Sequence, residues 1–243
     1  MKLILSIGCF LILTTFYIHA QSIDHSGNRK RKKNSFDKGE KVYDVDGNPY
    51  RTVKIGDQTW MTENLKTTRF SDGTAIEHIG EFSMWNLVRH PARCWYNNDS
   101  LKHKDKYGAL YNWYAVNTDQ LCPAGWHVPS DSEWIALKEY VIKAGVAKFE
   151  EGSALKAKKA WNMQYDKSAI TDAFGFSALP AGERGSVRDF DKMHYATYWW
   201  SSTSWSRLYA WSFALVSDND IITRSQTNKS SGFSVRCIKD RSQ

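Results

Sequence analysis

"LCPAGWHVPSDSEW", residues 121–134, sets a thiol, an imidazole and two indoles within fourteen positions. Two readings compete for it: a reactive centre at Cys122 and His127, or a covalent staple beside the start of a helix. A nucleophilic thiol needs a depressed pKa, an oriented base and an oxyanion hole. Only His127 is at hand, set between Trp126 and Val128. The second half of the stretch is more informative. Pro129 precedes Ser130-Asp131-Ser132-Glu133, a capping box in which the serine accepts from an early amide while the glutamate reaches back. Trp134, Leu137 and Val141 then share one helical face, which predicts a helix over 130–143. The stretch reads as a fold signature.

The cysteines agree with that reading once the compartment is considered. Lys2 followed by a largely apolar run from Leu3 to Ile18, then Ala20 before Gln21, has the order of a secretory signal peptide over 1–20. The apolar run is shorter than the ~20 residues a spanning helix needs. The expectation is a secreted, periplasmic or surface protein with no transmembrane segment in the mature chain. Cys94, Cys122 and Cys237 then remain in an oxidising compartment, where pairing is the default. Three single bridges are open to them. Cys122 with Cys237 is preferred, because the first precedes the buried helix and the second sits on the inner face of the last strand.

The formal charge of +7 is unevenly spread. "RKRKK" at Arg29 to Lys33 lies in a segment, 21–40, that is poor in apolar residues and reads as a basic flexible arm. Such a run could attract an anionic polymer. Beyond residue 40 the surplus is only +3, from the same count, and a domain so balanced is not a nucleic-acid binder by charge.

From 41 onward one domain, 41–240, is expected. Strands are read at "VYDV", "YRTVKI" and "QTWMTENL", joined by turns at "DGNP" and "GD". "DVDGN" has calcium-loop spacing at its start, but the sixth and twelfth positions are Pro49 and Ile55, so it reads as a turn. Residues 66–105 read as irregular, 107–116 and 153–161 as helical, and the chain from Phe174 as strands again. In "GFSVRCI", Phe233, Val235 and Cys237 point one way and Arg236 the other. Strands at both ends with two or three helices between predict an α+β domain whose terminal strands share a sheet.

Several blocks in order, "YGALYNWYAV", "LCPAGWHVPSDSEW", "GFSALPAGERG", "YWWSST" and "GFSVRC" among them, resemble the Fibrobacter succinogenes major paralogous domain, a family of secreted bacterial proteins. The resemblance spans about 43–239. The family is similar, more distantly, to the C-type-lectin-like group that includes formylglycine-generating enzymes, through Pro129, Glu133, Trp134, Gly232 and Phe233. It implies a C-type-lectin-like fold and a location more than an activity. The paired late cysteines of the formylglycine-generating enzymes are missing here, since only Cys237 stands in that region.

No serine-hydrolase elbow, phosphate-binding loop or His-Glu-x-x-His is present, so no catalytic residue, metal or cofactor is assigned. What stands out is the aromatic content: eleven tryptophans, all between Trp60 and Trp211. On a strand Trp199 and Trp200 must face opposite sides, and Trp211 should be core beside Phe213. Trp205, between serines, is the candidate exposed indole. A ligand groove is expected along Trp205, with Arg207 at its rim and Asp218 and Asp220 in a facing turn. The function expected is a binding module for a glycan or a partner protein; the alternative is a glycan-active hydrolase with a carboxylate pair no pattern can nominate.

Overall fold

The structure, a computed structural model, describes residues 38–163 and 169–241. The expected signal peptide, the cleavage before Gln21 and the run Arg29 to Lys33 lie outside the described residues. The first strand, β1, is Lys38–Tyr43, so the strand read at 42–45 begins and ends earlier than its sequence suggested. Asp44 then closes the turn. Its carboxylate accepts from the backbone N–H groups of Asp46 and Asn48 and from the Tyr50 hydroxyl, and Gly47 supplies a φ of +78°. β2 (Pro49–Ile55) and β3 (Gln58–Met61) form the expected hairpin about Gly56.

Residues 66–105 are more ordered than their sequence suggests. They hold β4 (Glu77–His78), α1 (Phe82–Trp85), β5 (Ala92–Cys94), a 3₁₀ turn and α2 (Ser100–Tyr107). These pieces are two to eight residues long, too short for a periodicity to show. The helix expected over 107–116 is broken. Gly108 takes φ +79° at a point where an added Cβ would lie 2.7 Å from the Leu65 carbonyl oxygen, and β6 (Leu110–Tyr111) pairs with β5. Only α3 (Trp113–Val116) is helical there, capped by Asn112. The Leu110, Trp113 and Tyr114 spacing came from burial on two different elements.

β7 (Trp126–His127) leads into α4 (Asp131–Lys143), where the capping box of Ser130 and Glu133 is formed as expected. α5 (Glu151–Leu155) is shorter than the 153–161 segment, because Lys156 leaves it in an extended conformation. Then follow β8 (Ala181–Arg184), β9 (Phe190–Met193), β10 (Ala196–Ser204), β11 (Tyr209–Val216), β12 (Thr223–Asn228) and β13 (Ile238–Lys239). Among the described residues there are five α-helical segments where two or three were expected. The class is α+β and mostly β, largely antiparallel.

Two five-stranded sheets carry the fold, in the orders β1-β2-β3-β13-β7 and β12-β11-β10-β8-β9. The first joins the two ends of the domain, since Ile238 of β13 pairs with both Trp60 and His127. In the second, β10 is buried on both faces. Trp199 points into the core with Trp60, Trp134 and Phe213, while Trp200 points into the core with Tyr111, Phe233 and Cys237. That is the opposed placement the alternation demands. Cys122 and Cys237 are bridged, and the bond ties the lead-in to α4 to the closing strand. Cys94 is a buried free thiol, pushed up to about 12 by burial, and so unreactive.

Candidate functional site

Both ring nitrogens of His127 are engaged by carboxylates. Its Nδ1 meets Asp240 at 2.5 Å and its Nε2 lies 3.1 Å from both Glu133 carboxylate oxygens. The Glu133 bond chiefly raises the His127 pKa, against burial, with Asp240 adding to it. Burial pushes the Glu133 carboxyl up, but His127 and the Ser130 amide and hydroxyl outweigh this and hold it at about 2. The imidazole thus clips β7 and the residue after β13 to the first turn of α4. With Cys122 in a disulfide, the opening stretch is structural throughout.

Trp205 is 54% exposed at the tip between β10 and β11. The tip is firm: the Trp205 and Ser206 amides both donate to the Tyr209 carbonyl, and Lys229 supports it by donating to Ser204 Oγ at 2.8 Å. Lys229 is itself buried against Trp113, its ammonium 4.1 Å from the ring centre. Trp205 packs edge-on against Trp211, centroids 5.0 Å apart. The Arg224 guanidinium covers Trp211 at 3.2 Å and forms a two-point bond to Asp131, at 2.6 and 2.8 Å. An unbroken chain of contacts therefore runs from the N-terminus of α4 to the exposed indole.

Trp211 was expected in the core and is only half-buried. It does share a face with Phe213 and Leu215, and α4 covers those two through Trp134, which stacks on Phe213. The helix begins at Asp131, so its cover ends there and Trp211 projects past it. Tyr209, 43% exposed, continues the same face. Gln226 is the cross-strand partner of Trp211 and lies exposed beside it. Trp205, Tyr209 and Trp211 form an aromatic strip, its two indoles set edge to face, with an amide and a guanidinium beside it.

The groove expected between this strip and the turn of Asp218 and Asp220 is not assembled. Arg207 lies exposed at the tip with Trp205, but Asp218 and Asp220 follow the opposite end of β11. Eight strand residues separate them by roughly 25 Å. Asp220 is also committed to packing: its carboxylate meets the fully buried Lys156 at 2.8 Å, and its carbonyl accepts from the Gly152 amide.

One cluster escaped sequence reasoning. Glu183 on β8 and Asp191 on β9 are cross-strand partners, beside a hollow of about 270 Å³ that Arg188 and Ser231 also line. Burial, and then the charge of Asp191, raise the Glu183 pKa. The same order of causes, burial and then Glu183 and Asp191, pushes Tyr198 up to about 12. Seven residues separate Glu183 from its neighbour's position in β9, and only the hairpin register brings the carboxylates together.

Among the described residues no group of three or more His, Cys, Asp or Glu could hold a metal ion, and no helix is long and apolar enough to cross a membrane. No curated protein and no solved structure matches the chain. The family model of the Fibrobacter succinogenes major domain matches residues 53–239. That span takes in the end of β2 with β3, the capped helix, the aromatic strip and the closing disulfide, and the chain belongs to the Fibrobacter succinogenes major domain family.

Proposed function

We propose that this protein is a secreted or cell-surface binding module that recognises a glycan through the strip of Trp205, Tyr209 and Trp211. The observation that carries the reading is an exposed indole held in place by the Trp211, Arg224 and Asp131 contacts. Large exposed aromatics are normally costly on a soluble surface, and pre-ordering them lowers the entropy lost on binding. A flat indole suits the C–H face of a sugar ring, while Gln226 and Arg207 offer donors to hydroxyls. Disulfide formation favours an oxidising compartment, in keeping with the leader-like residues 1–20. The sharing of one sheet by both chain ends, locked by the disulfide beside the capped helix, supports a C-type-lectin-like reading of the fold.

The test is a glycan array on the mature domain, followed by titration of Trp205→Ala with the glycan retained. The variant should lose binding while its melting temperature falls by no more than a few degrees, equivalent to about 1 kcal/mol. Undiminished binding by the variant would overturn the proposal. A second reading, a hydrolase, rests on Glu183 alone: a carboxyl whose pKa is raised by burial, set cross-strand from the Asp191 carboxyl, has the make-up of an acid and base pair. Under that reading Glu183→Gln abolishes turnover of a glycan substrate that the wild type cleaves.

A further inference from the structure

The sheet that joins the two ends of the domain carries a second surface, unrelated to the tryptophan strip. On one face of this sheet Thr52, Met61 and Cys237 are buried. One step along the strands the core runs out, and the same face presents Lys54, Thr59, Lys239 and Trp126 to solvent. Register makes these four a single row: Lys54 pairs with Thr59 and Lys239 with Trp126, and the pairing of Trp60 with Ile238 sets Thr59 opposite Lys239. The row crosses four strands, so Lys54 and Lys239 stand about 10 Å apart, two interstrand steps.

β1 rises at the side and turns this row into a groove of about 460 Å³, to which it adds Lys41 and Tyr43. Lys41, Lys54 and Lys239 are all exposed, and none makes an ion pair among the described residues. Glu40 is the one acidic residue in the lining. Three ammonium groups around a half-buried indole are a surplus of charge that internal packing does not use.

We infer that this groove binds an acidic polysaccharide, with Lys54 and Lys239 pairing to carboxylates on neighbouring sugars and Trp126 taking a ring face. Charge complementarity calls for an anion, and the concave shape with an aromatic wall calls for a slender polymer with C–H faces. A bilayer surface is flat and does not enter a groove. Nucleic-acid interfaces neutralise many phosphates, and the surplus of +3 beyond residue 40 is too small for that.

The test uses the full mature protein and oligogalacturonate as probe. Wild type should bind at 50 mM salt and weaken steeply by 500 mM, where exposed charges are screened. Lys54→Gln and Lys239→Gln should each cost roughly three- to fivefold in affinity, and the double variant at least about tenfold, with an unchanged melting curve. Trp205→Ala should bind this probe as wild type does, so failure here and failure of the tryptophan strip are distinguishable. Equal binding by the double variant would overturn the inference. So would binding of phosphatidylserine vesicles or single-stranded oligonucleotide as tight as that of oligogalacturonate.

Discussion

Removing the bond between Cys122 and Cys237 is the perturbation whose cost follows most directly from the fold. The bridge spans 115 residues of chain. On the loop-closure estimate a cross-link of that span removes about 4.8 kcal/mol of conformational freedom from the unfolded state at 25 °C. Domains of this kind are stable by only about 5–15 kcal/mol, so the bond accounts for a third or more. At about 2–4 °C per kcal/mol for a domain of this size, the melting temperature should fall by about 10–20 °C. Both sulfurs are buried, so Cys122→Ala with Cys237→Ala also leaves a void, which adds on the order of 1 kcal/mol. Reduced wild type keeps the sulfur volume and shows the chain term alone. Urea unfolding of oxidised wild type, reduced wild type and the double variant separates the two contributions. Reduced wild type within about 1 kcal/mol of the oxidised form would refute the reasoning, and would mean that β13 and the lead-in to α4 already associate in the unfolded chain.

Stability should also depend on pH through His127 and Glu133. The raised His127 pKa contributes fully below its unfolded value of about 6.5 and is lost as pH rises through the folded one. Glu133, held at about 2, contributes fully above about 4.5 and is lost as pH falls towards 2. Urea midpoints should therefore plateau between about pH 5 and 6, and His127→Gln should flatten the alkaline limb. Arg224→Ala should cost about 1–2 kcal/mol by denaturant melt, as it loses both the ring contact and the Asp131 pair; Arg224→Lys should recover little, because an ammonium lacks the planar fork. Gly108→Ala should cost about 2–3 kcal/mol, since φ is +79° and the new methyl would lie 2.7 Å from the Leu65 carbonyl oxygen. A variant as stable as wild type would show that the backbone there relaxes freely.

By itself the sequence determined what is written in neighbouring residues. Ser130 and Glu133 announce the start of α4 because capping is chemistry across three positions. Gly56 announces the hairpin of β2 and β3, and the alternation of Trp199 and Trp200 announces that β10 has a core on each side. The partner of Cys122 was legible because helix face and strand face could each be read locally. Tertiary structure alone decided where cover ends and which distant strands align. Trp211 follows the alternation of a core residue, yet α4 starts at Asp131 and leaves it half-exposed. Asp218 and Asp220 are close to Trp205 in sequence but lie at the other end of β11, because an extended strand carries the chain about 3.4 Å per residue. Glu183 stands opposite Asp191, and Lys54 shares a row with Lys239, only through hairpin register and through β13 pairing with β3. Those pairings link positions up to 185 residues apart in the sequence. A residue's neighbours fix its backbone angles and the side it faces; what stands on that side is set by chain arriving from elsewhere.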